Sequence, residues 1–299
     1  MRVGFLGLGS MGTPMALNLA QHFPITVWNR TASKCDPFRS IPGAAVADSP
    51  AAVARQSDVV FAMLYDDSAC RTILSDPALT AALRGKTLIN TSSVSVACNQ
   101  LLAAHLHPAG CRFLEMPVSG SRVPAEQGKL VGMLAGGSKE DAERLAPLLG
   151  RVTAAAVHCG EEVGAGLRMK FATNLFLITM TAGLAEAMHL ARAQGLDVEA
   201  FARVLDAGPM ASAYSRLKVA KMVAEDWAPQ AAIADCYNVT ELVQGAAAEA
   251  GAETPLMTVC NGLYREAVSR GFGGDDMIAI HKVMTPPERD GEDNNDKKN

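Results

Sequence analysis

Three glycines most constrain what this chain can fold into. Gly7, Gly9 and Gly12 stand in the spacing G-x-G-x-x-G, directly after the apolar strand candidate Arg2–Leu6 and at the head of a helical pattern, Gly12–Gln21. The three positions meet separate demands. The first allows a tight turn, the second lets backbone approach a pyrophosphate, and the third lets helix and strand pack closely. Phosphate oxygens then face the free N–H groups and positive dipole end of the helix N-terminus. In this strand–turn–helix context the spacing predicts a dinucleotide site.

The next strand candidate, Ile25–Trp28, ends in Asn29-Arg30-Thr31. A site that prefers NAD usually places an acid here to bind the ribose 2′-hydroxyl, and that acid would repel a 2′-phosphate. Neutral Asn29, the Arg30 guanidinium and the Thr31 hydroxyl suit a phosphate instead, because arginine presents paired charge-assisted donors. Lys34 adds charge one turn on. NADP(H) is therefore expected over NAD(H).

Further strand candidates are Val59–Ala62, Thr87–Asn90, Arg112–Glu115 and Leu130–Ala135, with helical stretches such as Ser49–Arg55 between them. Strand–helix alternation with short connections predicts a parallel sheet covered on both faces. From Val163 onward the pattern is helical, over about 163–194, 197–206, 212–224, 230–250, 255–270 and 275–283. The expected fold is an α/β Rossmann N-terminal domain plus an all-α C-terminal domain joined by a long helix. The expected boundaries are 1–162, 163–285 and a polar, disordered tail at 286–299. The site is expected at the C-terminal ends of the strands, in the cleft between the domains.

Composition excludes several classes. Net charge is −4 with no large basic block, so nucleic acid is not an expected partner. The N-terminal segment lacks a charged n-region and a cleavage site, so it reads as strand and turn and not as a secretion signal. Phe171–Leu190 has about the length of a membrane span, but it holds Asn174, Glu186 and His189 and follows Arg168 and Lys170. It reads as a buried helix, with no membrane role. Seven cysteines, at 35, 70, 98, 111, 159, 236 and 260, form no CxxC pair, as expected of reduced thiols in a cytoplasmic protein. The histidines do not cluster as a metal site requires, so no metal is expected.

Three segments, GFLGLGSMGTPMALNL, EMPVSGSRVPAEQGKLVGMLAGG and GAGLRMKFATNLF, occur in this order at these distances. Together they resemble the β-hydroxyacid dehydrogenase family, which includes 3-hydroxyisobutyrate dehydrogenases and glyoxylate or succinic semialdehyde reductases. The resemblance covers about residues 1–285. It implies that the run from Gly7 to Asn18, with Leu8, Ser10 and Met11, forms the cofactor signature. It also implies that Met63 and Leu64 line the cofactor, that Ser93 sits near the nicotinamide ribose, and that Ser119 and Gly120 form the substrate loop. Lys170 and Asn174 match its catalytic helix, and a homodimer or homotetramer is implied.

The chemistry also follows from residue types. Lys170 and Asn174 are i and i+4, so they share one helix face. A lysine ammonium can give a proton to a carbonyl oxygen as hydride reaches carbon, and take it back in reverse. Burial would lower its pKa toward the working pH. Asn174 would orient the lysine or hold substrate, and Ser119 with the Gly120 N–H would bind a carboxylate or hydroxyl. The expected substrate is a small carbonyl compound or its hydroxy acid.

There are departures from the family pattern. Ser-Gly is followed by Ser121-Arg122-Val123-Pro124, so Arg122 is either a carboxylate clamp or a solvated loop residue. Ala234-Asp235 stands where the family often has Lys-Asp, so a cation is missing there. Asn90 stands where an acid is common. His189 reads as a core histidine, and Asp275 and Asp276 as the start of the last helix. An NADPH-dependent imine reductase is the alternative within enzymes. A 6-phosphogluconate dehydrogenase is normally longer at its C-terminus. A non-catalytic dinucleotide-binding module is the alternative of another class, marked by NADPH binding without turnover.

Overall fold

The computed structural model describes residues 1–284; the tail expected at 286–299, and Thr285 at the end of the expected helical domain, lie outside the described residues. The chain forms two compact units, one of Met1–Leu175 with Glu241–Glu253, the other of Phe176–Thr240 with the described residues from Thr254 on.

The first unit holds a single nine-stranded sheet. Its strands are β1 (Val3–Leu6), β2 (Ile25–Trp28), β3 (Ala44–Val46), β4 (Val59–Ala62), β5 (Thr87–Asn90), β6 (Arg112–Glu115), β7 (Val118–Ser119), β8 (Leu130–Ala135) and β9 (Thr153–Gly160). The order is β3-β2-β1-β4-β5-β6-β8-β7, with β9 on β8. From β3 to β6 every pairing is parallel. The expected parallel sheet is extended beyond β6 by a mixed edge, where β8 runs antiparallel to both β6 and β7.

Every residue of β1, β4 and β5 is buried, as a sheet covered on both faces requires. Phe5 and Phe61 stack 5.9 Å apart on neighbouring strands. The α-helices that lie wholly within this unit are α1 (Gly12–Ala20), α2 (Pro50–Gln56), α3 (Asp67–Leu74), α4 (Pro77–Ala82), α5 (Val96–Leu106), α6 (Arg122–Glu126) and α7 (Lys139–Leu149), and a 3-10 helix covers Ala32–Phe38. Side-chain oxygens of Ser49, Asp66, Asp76, Ser95 and Ser138 cap α2, α3, α4, α5 and α7, so the sequence itself marks where five of them begin.

Helix α8 (Ala165–Ala193) passes from the first unit into the second. The second unit adds α9 (Val198–Ala207), α10 (Ala213–Val223), the start of α11 (Ile233–Glu249), α12 (Pro255–Ser269) and a closing 3-10 segment, Met277–Val283. It contains a fully buried ion pair, Lys218 Nζ to Asp276 Oδ1 at 2.6 Å. Asp276 Oδ1 also accepts the Ile278 N–H and its Oδ2 the Gln230 N–H, so this carboxylate is committed to holding the closing segment. Asp275 pairs with Lys282 at 2.8 Å.

Helix α8 departs from the expectation of a buried core helix. By length and composition it could cross a membrane, and 39% of its most apolar window is buried within this chain. Phe176 and Leu190 are largely exposed. Its apolar pattern is therefore only partly satisfied by the chain's own packing.

Candidate active site

The parallel strands bring their C-terminal ends to one edge of the first unit. Gly7 follows β1, Asn29 follows β2, Met63 follows β4, and Thr91 to Ser93 follow β5. The separate segments expected at the site are gathered there by topology.

Each glycine of the first loop has a distinct geometry. Gly7 has φ +98°, and a Cβ there would lie 2.2 Å from the Met63 carbonyl oxygen. A Cβ on Gly12 would lie 2.1 Å from the Gly7 carbonyl oxygen, so helix and turn could not close on any larger residue. A Cβ on Gly9 would meet nothing within 4 Å. Gly7 and Gly12 are thus glycine because the protein needs the space. Gly9 borders a gap that the protein leaves open, which is where a pyrophosphate backbone contact fits. Ser10 is exposed, Met11 half-buried and Leu8 buried.

Asn29 ties this loop to β2. Its Oδ1 accepts the Leu8 N–H at 2.9 Å, and its Nδ2 donates to the Thr31 carbonyl at 3.0 Å. Arg30, Thr31 and Lys34 are exposed beside it. On the other side, the Leu64 N–H donates to Ser92 Oγ at 2.8 Å, and the Thr91 hydroxyl to the Ala62 carbonyl at 2.7 Å. Met63 and Leu64 are half-buried between these bonds.

Lys170 and Asn174 lie one turn apart on α8, each 7% exposed. Lys170 Nζ donates to Ser93 Oγ at 2.5 Å. Burial lowers the ammonium's pKa from 10.5 to about 8, with desolvation as the cause. A buried amine bonded to a neutral hydroxyl can change protonation state near the working pH.

Ser119 sits on β7 and is half-buried; Gly120 has φ +130°, and a Cβ there would strike Leu130 Cδ2 at 2.7 Å. Arg122 begins α6 and pairs with Glu126 at 2.7 Å, its side chain 70% exposed. Asn18 on α1 donates to the Ala125 carbonyl at 2.8 Å, linking the glycine-loop helix to α6.

Two buried groups beneath the site were not singled out from the sequence as site residues. Glu115, at the end of β6, is fully buried and accepts backbone N–H groups from the start of α8. Asn99, on α5, bonds to it. Burial pushes the Glu115 carboxyl upward, against the lowering effect of these hydrogen bonds. The signal was present: Glu115 stands between Phe113-Leu114 and Met116-Pro117-Val118, and an acid inside such an apolar run needs partners. No group of three or more potential metal ligands occurs among the described residues, and all seven cysteines are free thiols.

The chain resembles known proteins over nearly its whole length. Residues 2–160 match the family described as the NAD binding domain of 6-phosphogluconate dehydrogenase. Residues 164–284 match the NAD-binding of NADP-dependent 3-hydroxyisobutyrate dehydrogenase. Glyoxylate/succinic semialdehyde reductase 2, chloroplastic, of Arabidopsis thaliana is 35% identical, over 94% of this chain and 79% of that protein. Glyoxylate/succinic semialdehyde reductase 1 of the same plant is 33% identical, over 95% of this chain and 98% of that one. Among solved structures, a 3-hydroxyisobutyrate dehydrogenase from Salmonella typhimurium superimposes with TM-score 0.83 at 26% identity, covering 95% of this chain and 99% of that one.

Proposed function

This chain belongs to the 3-hydroxyisobutyrate dehydrogenase family of NAD(P)-dependent oxidoreductases, and from that premise we propose that it reduces a small semialdehyde or oxo acid with NADPH, using Lys170 as general acid. The observation that carries the reading is the buried amine of Lys170, held on Ser93 at the edge where the glycine loop also opens. The open space beside Gly9 is what a cofactor phosphate would occupy. NADPH, when bound, supplies the hydride.

The chain's own groups do the rest. The Lys170 ammonium gives its proton to the substrate's carbonyl oxygen. In the oxidative direction the neutral amine takes it back. Asn174, one turn on, orients the amine or holds the substrate. The Ser119 hydroxyl and the Gly120 N–H bind the substrate's carboxylate. Arg122 is available to a carboxylate only by leaving Glu126. Burial of Lys170 excludes water that would otherwise compete for the proton.

The test is an NADPH-oxidation screen over glyoxylate, succinic semialdehyde, other 2- and 3-oxo acids, and cyclic imines. Turnover of the aldehyde acids is expected. Turnover of imines alone would favour the imine reductase reading, and NADPH binding with no turnover at all would favour a non-catalytic binding module.

Preference for NADPH over NADH belongs to the same proposal. Asn29 offers no charge to repel a 2′-phosphate, and Arg30 is exposed beside it. Asn29→Asp keeps an acceptor for the Leu8 N–H but adds the repulsive charge. We expect the ratio of kcat/KM values to move toward NADH by at least about tenfold, which corresponds to roughly 1.4 kcal/mol. A ratio unmoved by this variant would remove Asn29 from the 2′-phosphate site.

The exposed apolar side chains of α8, together with α9, in which no residue is buried, support self-association as a homodimer or homotetramer. The free cysteines support a reducing compartment such as the cytoplasm.

A further inference from the structure

Helix α8 carries Lys170 but supplies no cap of its own. The residue before it is Gly164, with φ +107°, and has no side chain to offer. The Ala165 N–H is met locally by the Glu162 carbonyl, and the N–H groups around it are met from far away. Gly164, Gly166 and Leu167 all donate to Glu115 Oε1, at 2.9, 2.8 and 3.2 Å. Gly166 must be glycine for this approach, since a Cβ would lie 2.3 Å from the Met133 carbonyl oxygen and 3.1 Å from Glu115 Oε1.

The other carboxylate oxygen begins a chain of hydrogen bonds with a fixed direction. The Ser92 N–H can only donate, and it donates to Asn90 Oδ1 at 3.2 Å. Asn90 Nδ2 therefore faces Asn99 Oδ1, at 2.8 Å. Asn99 Nδ2 then faces Glu115 Oε2, at 2.7 Å. Each amide has one accepting and one donating end, so only an acceptor at the last position satisfies every link. Ser92 also receives the Leu64 N–H, and its neighbour Ser93 receives Lys170 Nζ. One buried chain thus runs from the helix that carries the amine to the loop that carries the hydroxyl bonded to it. Gly166 and Lys170 are i and i+4, so the capped face of α8 is the face that presents the lysine.

We propose that Glu115 is a positioning residue for Lys170, fixing through Asn99 and Asn90 the separation between the start of α8 and the Ser92–Ser93 loop. The inference rests on the proposed role of Lys170 as proton donor.

Glu115→Gln tests it. Glutamine keeps an oxygen for the three N–H groups but sets its own NH2 against the Asn99 NH2, and no flip of the two asparagines removes the mismatch. Adding Asn99→Asp restores every link, because an aspartate there accepts from both Asn90 and Gln at 115. With glyoxylate and NADPH, Glu115→Gln is expected to lose kcat by about tenfold to 10²-fold, as a displaced catalytic group does. KM for NADPH is expected to stay within about threefold, and the double variant to recover most of the kcat. A second readout needs no substrate. NMR of the dimethylated lysines, with the Lys170 signal identified by its loss in Lys170→Arg, follows the amine's titration. An amine displaced from its buried seat is less desolvated, so its pKa should rise in Glu115→Gln and return in the double variant.

Wild-type kcat and an unmoved Lys170 titration in Glu115→Gln would overturn the inference. So would a loss that tracks only thermal stability and is not restored by Asn99→Asp. Failure of the underlying reading looks different: Lys170→Ala would then keep its turnover whatever Glu115 does.

Discussion

Lys170→Ala is expected to lower kcat for glyoxylate reduction by about 10²- to 10⁴-fold, the usual contribution of a positioned general acid, while NADPH binding measured by fluorescence stays near wild type. The expectation follows from where the side chain sits. Lys170 is buried, and its amine bonds to Ser93. Of the proposed cofactor positions only Ser93 touches the amine; Gly7 to Gly12, Asn29 to Thr31, Met63 and Leu64 lie on other segments. Removing the amine leaves those segments' own bonds intact, so binding and chemistry should separate. Truncation also relieves the cost of burying a cation, so thermal stability should not fall steeply. Near-normal turnover in this variant would remove the proposed mechanism and leave the fold unaffected.

Gly9→Asp is expected to lose NADPH affinity by at least about 10²-fold with little change in melting temperature. In the free protein a side chain at position 9 meets open space, and the residue does not lie in the left-handed region that favours glycine. A bound pyrophosphate would meet the new carboxylate at close range. Two like charges about 4 Å apart at an effective dielectric of about 20 repel by roughly 4 kcal/mol, which exceeds the roughly 2.7 kcal/mol that a 10²-fold loss requires. Gly12→Ala should behave oppositely and destabilise the fold itself, because its Cβ would overlap the Gly7 carbonyl. If Gly9→Asp binds NADPH as tightly as wild type, the phosphates do not lie on this loop.

These contrasts show which parts of the molecule were legible in the sequence. The central strands were readable because their apolar runs are short, fully buried and bounded by turn residues. Strands β2, β4, β5, β6 and β8 fall at the expected residues, and β1 starts one residue later than expected. Strand β9 was not readable: its run Thr153-Ala154-Ala155-Ala156 is poor in β-formers, largely exposed and without alternation. Strands β3 and β7 span three and two residues, too few to show a period. The five long helices after residue 162 were readable from their periodicity. What periodicity did not show was how little of α8 is buried by this chain.

At the site, local motifs showed the glycine loop and the Lys170–Asn174 pair. The Glu115–Asn99–Asn90 chain joins residues far apart in sequence, so no local pattern reveals it. The place of Asn29 was legible only in part. Its lack of charge was read from the sequence, but its bond to the Leu8 N–H needs the fold.

The most direct test of the central claim is the pH dependence of kcat/KM for NADPH-driven glyoxylate reduction, from about pH 6 to about pH 10. In the proposed mechanism the ammonium is the proton donor, so activity should be level on the acid side and fall as pH rises through the Lys170 pKa of about 8. Above that point the fall should approach about tenfold per pH unit. Oxidation of the corresponding hydroxy acid needs the neutral amine and should show the mirror dependence. A reduction profile that stays level through about pH 10 would contradict the assignment of Lys170 as the acid.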